Sequence, residues 1–137
     1  MEEDAAINAL VRENESMPAS RIFEIMNQHP ESVRVHEIAL TQLCSKTLSP
    51  HGKREVFEAD GTEILVNVIR RLSNRSKIQY LACDTFANLS SDNDGNVKAT
   101  IIFLQGAAAI VEAMQSHIGD IGVQTSGCRG LANLSRN

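Results

Sequence analysis

The chain carries few residues arranged for chemistry. It has three Cys and four His, and the two octets CDTFANLS (Cys83–Ser90) and CRGLANLS (Cys128–Ser135) share Cys and Ala-Asn-Leu-Ser. A Cys nucleophile needs a base held beside it. No His-x-x-x-His, Cys-x-x-Cys or Gly-rich phosphate loop is present, so neither a zinc nor a nucleotide site is drawn. His29 and His117 stand near expected helix ends, where His suits the last-turn carbonyls; His36 and His51 are unrelated to them. The expectation is a protein that is not an enzyme and takes no cofactor or metal.

The octets lie 45 residues apart, and the register extends well beyond them. Gly61 meets Gly106, Val66 meets Val111, Ile78 meets Val123, and Gln79 meets Gln124. A looser third copy lies upstream, shifted by 43: Ile22, Phe23 and Met26 fall on Leu65, Val66 and Ile69. Cys83 and Cys128 then read as small buried side chains of a building unit, not bridge partners, and a reduced intracellular setting follows. The sequons at Asn14, Asn74, Asn88 and Asn133 read as coincidence.

The elements that must position these residues are helical. Ile64, Leu65, Val68, Ile69 and Leu72 form one helix stripe, and Ile78, Leu81, Ala82, Phe86 and Leu89 form another. Ser73-Asn74-Arg75-Ser76 separates them, with the polar character of a helix start. Short helices are expected over Arg54–Ala59 and Val97–Leu104, turning at Gly61 and Gly106. Aromatic content of 4% with no Trp suits helix-on-helix packing. Net charge is −4, carried by residues 1–19; the remainder has twelve acids and twelve bases. No domain-wide basic field exists, so nucleic acid is not expected as a partner. The one basic cluster, Arg70, Arg71, Arg75 and Lys77, reads as a solvated helix end and turn, or else as a contact for phosphate or an acidic peptide. The most apolar run, Ile101–Met114, is shorter than a membrane span, and the acidic start is not a secretory signal.

A 43–45-residue unit of one short and two longer helices is the signature of an α-solenoid. These units resemble armadillo repeats, whose third helix commonly ends in an Ala- or Leu-rich stretch followed by Asn-Leu-Ser. Gly61–Ser90 and Gly106–Ser135 match well and Ser20–Asp60 more loosely; HEAT repeats are the structural competitor. The resemblance implies an all-α, right-handed α-solenoid of about three repeats. Residues 1–19 form an acidic cap helix or the remnant of a preceding repeat; repeats span 20–60 (divergent), 61–105 and 106–137 (incomplete, uncapped).

It also implies a concave groove lined by the third helices, and a non-enzymatic scaffold that binds an extended peptide or a helix. The groove candidates form three rungs: Glu37/Thr41/Ser45, Tyr80/Asp84/Asn88 and Thr125/Arg129/Asn133. The family role of the Asn is to hydrogen-bond a peptide backbone; a local capping role is the other reading. Nuclear-import members place Trp four residues before that Asn, where this chain has Thr41, Asp84 and Arg129, so basic import peptides do not fit. The alternative is a structural or regulatory segment of a larger protein, such as a kinase or a long array, without its own ligand. Leu131 and Leu134 are expected to present an uncovered side, which suggests a longer array or self-association through that end. The expected location is cytoplasmic, with the nucleus as an alternative.

Overall fold

The computed structural model describes residues 1–136 and is all-helical, with nine α-helices and one 3₁₀ turn among them. The helices are α1 (Glu3–Glu13), α2 (Ala19–Gln28), α3 (Val33–Lys46), α4 (Pro50–Glu58), α5 (Gly61–Arg71), α6 (Ser76–Leu89), α7 (Gly95–Phe103), α8 (Gly106–Ser116) and α9 (Ile121–Ser135). The turn Asn14–Ser16 follows α1. No single helix among the described residues is long and apolar enough to cross a membrane.

Local chemistry sets most boundaries. Ser32, Ser49, Asp94 and Asp120 cap α3, α4, α7 and α9 with side-chain oxygens on first-turn amides. Pro50 and Asp94 start the two short helices earlier than the apolar pattern suggested: Pro50 suits the first turn, where its missing N–H costs nothing. At α6 the expected polar cap is absent. Ser76 is already helical and the cap position is Arg75, which makes no capping hydrogen bond.

The glycines also differ from expectation. Gly61 and Gly106 open α5 and α8, and neither has positive φ; the left-handed residues are their predecessors, Asp60 (φ 63°) and Gln105 (φ 75°). Glycine is required there by close approach. A Cβ on Gly61 would lie 2.6 Å from the Val56 carbonyl oxygen, and one on Gly106 would lie 2.5 Å from Ile101 Cγ2. These distances draw each short helix tightly onto the next.

Helices α1, α3, α6 and α9 touch in succession, each against the next, and α5 touches α8. Helices α2, α5 and α8 also lie on α3, α6 and α9 respectively. One continuous apolar cluster runs from Ala6 and Leu10 through Leu40, Leu65 and Phe86 to Ile110 and Leu134. Burying a Leu, Ile or Phe side chain contributes about 1.5–3 kcal/mol, so shared apolar faces hold these helices together.

Coverage is uneven at α9. Cys83 and Ala87 on α6 are fully buried, whereas Cys128 and Ala132, the residues 45 positions on, are exposed. Cys128 is thus not the core residue expected. Helix α9 covers α6, and among the described residues no helix covers the corresponding side of α9. Leu131 is half-buried and Leu134 is buried, so only Leu131 retains an open side.

Candidate functional site: the exposed row of the long helices

The nine groove candidates lie on α3, α6 and α9, which the helix contacts bring side by side. Thr41, Ser45, Tyr80, Thr125 and Arg129 are exposed, and Glu37 and Asp84 are half-buried. Asn88 and Asn133 are each only 5% exposed. That exposure decides how they act.

Asn88 spends its amide inside the molecule. Its Nδ2 donates to the Cys44 carbonyl and to Thr47 Oγ1, each at 3.1 Å, while Oδ1 accepts from the Arg129 guanidinium at 3.4 Å. Cys44 lies in the last turn of α3, where carbonyls lack an intrahelical partner. Asn88 therefore fastens the end of α3 to α6. Asn133 repeats the device one helix on: Nδ2 donates to the Ala87 carbonyl at 2.9 Å and Oδ1 accepts from Arg136. Both amides join neighbouring helices. This matches neither free peptide-binding groups nor caps of their own turn.

Asp84 and Arg129, which hold the same place in the 45-residue register, face each other as an ion pair. Arg129 Nη2 lies 2.5 Å from Asp84 Oδ1, and Ser126 Oγ donates to the same oxygen at 3.2 Å. Arg129 thus bridges Asp84 and Asn88 across the α6–α9 seam. Tyr80 lies over Gly122, where a Cβ would come within 3.2 Å of the ring. Thr41 donates to its own helix at the Glu37 carbonyl, and the Glu37 carboxylate lies 4.0 Å from Lys77.

Two clefts flank the first rung. One, of about 320 Å³, is lined by Ser45 with Asn14, Gln42, Lys46, His51 and Glu55 among others. The second, of about 360 Å³, is lined by Glu37 and Thr41 with Val11, Asn14, Gln42 and Lys77 among others. In the first, Lys46 Nζ lies 3.2 Å from Glu55 Oε1, and the Ala19 amide donates to Glu55 Oε2. Burial works to raise the Glu55 carboxyl, but the Ala19 hydrogen bond and Lys46 outweigh it and hold it below the usual range. Gln42 donates to the Leu10 carbonyl and leaves Oε1 buried without a partner. Of these cleft residues the sequence pattern pointed only to Glu37, Thr41, Ser45 and Lys77; the rest come from different units and share no periodic signal.

Gln79 and Gln124 were visible as a matched pair, but their role was not. Gln79 Nε2 donates to the Ile69 and Leu72 carbonyls, and Gln124 Nε2 to the Met114 and His117 carbonyls. Each ties off the open end of the preceding helix. In the corresponding place on α3 stands His36. It is fully buried, with Nδ1 on the Ser32 carbonyl and Nε2 accepting from Arg71 at 3.4 Å. Burial lowers its pKa below the ordinary value.

The basic cluster is largely engaged. Arg70 makes a bidentate contact with Glu112, Arg71 donates to the Pro30 carbonyl, and Lys77 faces Glu37. Burial raises the thiols of Cys44 and Cys83 to about 11 and about 12, which keeps both protonated at neutral pH. Among the described residues no group of three or more His, Cys, Asp or Glu converges on a common point that would hold a metal. No protein-family model, curated protein or solved structure matches the chain.

Proposed function

We propose that this chain is an armadillo-like, right-handed α-solenoid of about three repeats that serves as a non-enzymatic protein-interaction scaffold. The observation that carries the reading is the pair of clamps 45 residues apart: Gln79 and Gln124 make the same two hydrogen bonds to register-equivalent carbonyls. Identical side chains closing the same turn within successive units are what a repeated structural unit predicts. The ligand-facing surface on this reading is Thr41, Ser45, Tyr80, Thr125 and Arg129, which are exposed. Asn88 and Asn133 act as joints behind it.

The partner is an extended peptide or helix of a cytoplasmic or nuclear protein, and it meets one exposed Tyr and one Arg. Aromatic and Arg side chains are the usual anchors of such surfaces. A peptide-display selection against the full chain, followed by titration of the selected peptide, tests this. The double variant Tyr80→Ala/Arg129→Ala should weaken binding at least about tenfold, and Glu63→Ala, on the exposed side of α5, should leave it unchanged. Unaltered affinity in the double variant would refute the groove.

A second reading makes the chain a structural or regulatory segment of a larger protein, with no ligand of its own. It is favoured by the way Asn88, Asp84 and Arg129 satisfy one another. Self-association would then use the outward side of α9, at Cys128, Leu131 and Ala132. Sedimentation across a concentration series separates the two readings.

A further inference from the structure

The cluster around the α5–α6 turn departs from the repeat, although Arg70 and Arg71 have partners there. The turns before α3 and α9 do the same structural work with Ser32 and Asp120, whose oxygens accept from Val35 and Val123 amides at 3.1 and 3.0 Å. The register-equivalent residue before α6 is Arg75, which caps nothing. The residues matching Arg70 and Arg71 are Asn27 and Gln28 in one unit and Gln115 and Ser116 in the other. Those matching Ser73 are Pro30 and Ile118. Three cations and one hydroxyl have thus gathered at one turn, at the loss of a helix cap. The cap lost at Arg75 is the part that no side chain makes good, and a local rule broken in that way points to function.

At the centre is Ser73, exposed, on the turn that follows the last residue of α5. Its carbonyl is held by His117 Nε2 at 2.7 Å. Arg70 and Arg71 stand three and two residues before it, and Arg75 two after. Two cations at those offsets ahead of an acceptor serine are what a serine kinase with acidic subsites reads, by charge complementarity along an extended strand. We propose that Ser73 is a phosphorylation site for a basic-residue-directed serine kinase. The Ser73 oxygen attacks the γ-phosphorus of ATP, the bond from that phosphorus to the bridging oxygen breaks, ADP leaves, and the hydroxyl proton passes to the kinase's base. The product dianion, two residues ahead of Arg75 and three ahead of Ser76 at the uncapped start of α6, would supply the negative charge missing there.

Recognition requires the last turn of α5 to open. Arg70 must leave Glu112, Arg71 must leave the Pro30 carbonyl, and Leu72, 6% exposed, must leave the core. The Gln79 amide must also release the Ile69 and Leu72 carbonyls, and His117 the Ser73 carbonyl, so the kinase acts on a locally opened minority of molecules. The full chain is incubated with the catalytic subunit of a cyclic-AMP-dependent kinase and ATP, and phosphate is located by mass spectrometry. One phosphate on Ser73 is expected. Ser73→Ala should abolish labelling. Arg70→Ala and Arg71→Ala should each slow it about tenfold or more. Glu112→Gln should speed it several-fold, because it frees Arg70. Phosphorylation should raise Tm by about 2–4 °C in the parent and not in Arg75→Ser. Circular dichroism melting of each variant establishes that it is folded. Labelling that persists in Ser73→Ala would overturn the proposal. So would rates indifferent to both arginines, or no label on a folded Glu112→Gln chain.

Discussion

Replacing Asn88 with Ala separates a joint from a ligand-facing group. Asn88 is buried and donates to two acceptors, one of them a last-turn carbonyl of α3. Each net hydrogen bond contributes about 1 kcal/mol, and a buried acceptor left unpaired costs about 1–3 kcal/mol. Thr47 Oγ1 also donates to the Cys44 carbonyl at 3.1 Å, so that oxygen keeps one partner and the lower part of the range applies. Arg129 keeps Asp84 and loses only its two 3.4 Å contacts. The sum is a destabilisation of about 2–4 kcal/mol, which moves the urea midpoint down by about 1–2 M at unchanged slope. Urea unfolding followed by circular dichroism measures it directly. Ser45→Ala is the control: Ser45 occupies the same place on α3 but is exposed, and its loss should stay within about 0.5 kcal/mol. If Asn88→Ala also stays within 0.5 kcal/mol of the parent, the joint reading is wrong and the Asn is available to a ligand after all.

Three further outcomes follow from single contacts. His36 is neutral and buried in the folded chain with its pKa lowered, facing Arg71, Glu31 and His29. Its contribution is therefore present above the unfolded value and lost as pH falls through the lowered folded value; His36→Gln should flatten that part of a stability–pH profile measured by urea unfolding. Gly61→Ala, which drives a Cβ towards the Val56 carbonyl, should cost about 1–3 kcal/mol, whereas Asp60→Gly, at φ 63°, should gain about 0.5–1 kcal/mol in thermal melts. A thiol reagent applied to the native chain at neutral pH should modify Cys128 promptly and Cys83 only after denaturant is added; prompt reaction of Cys83 would contradict its burial.

What the sequence made legible was periodicity, and the unseen part was direction. The stripes of α5 and α6 were readable because burial repeats along one helix face, a local property. Gly61 and Gly106 were readable as special but not for their actual reason. A chain folding back and a chain approaching a carbonyl both select glycine, and only the distance to Val56 or Ile101 distinguishes them. Arg75 could not be recognised as a missing cap until Ser32 and Asp120 were seen making their bonds. Cys128 holds the same place in the 45-residue register as Cys83, yet its burial depends on a helix across the seam.

The same ambiguity explains why Ala-Asn-Leu-Ser resembled a site. A residue that recurs at every unit either meets something common to all units or meets the next unit, and sequence alone weights these equally. Here the carbonyls closing each long helix are themselves a repeating feature, and Asn88 and Asn133 meet them. Groups proposed to confer specificity have the opposite signature, because a particular partner needs residues that break the repeat. Tyr80 and Arg129 do so on the exposed row, and Ser73 with its arginines does so at the α5–α6 turn. On the proposed reading those departures are where a partner and a kinase would act, while Asn88 and Asn133 of the octets join the helices that carry them.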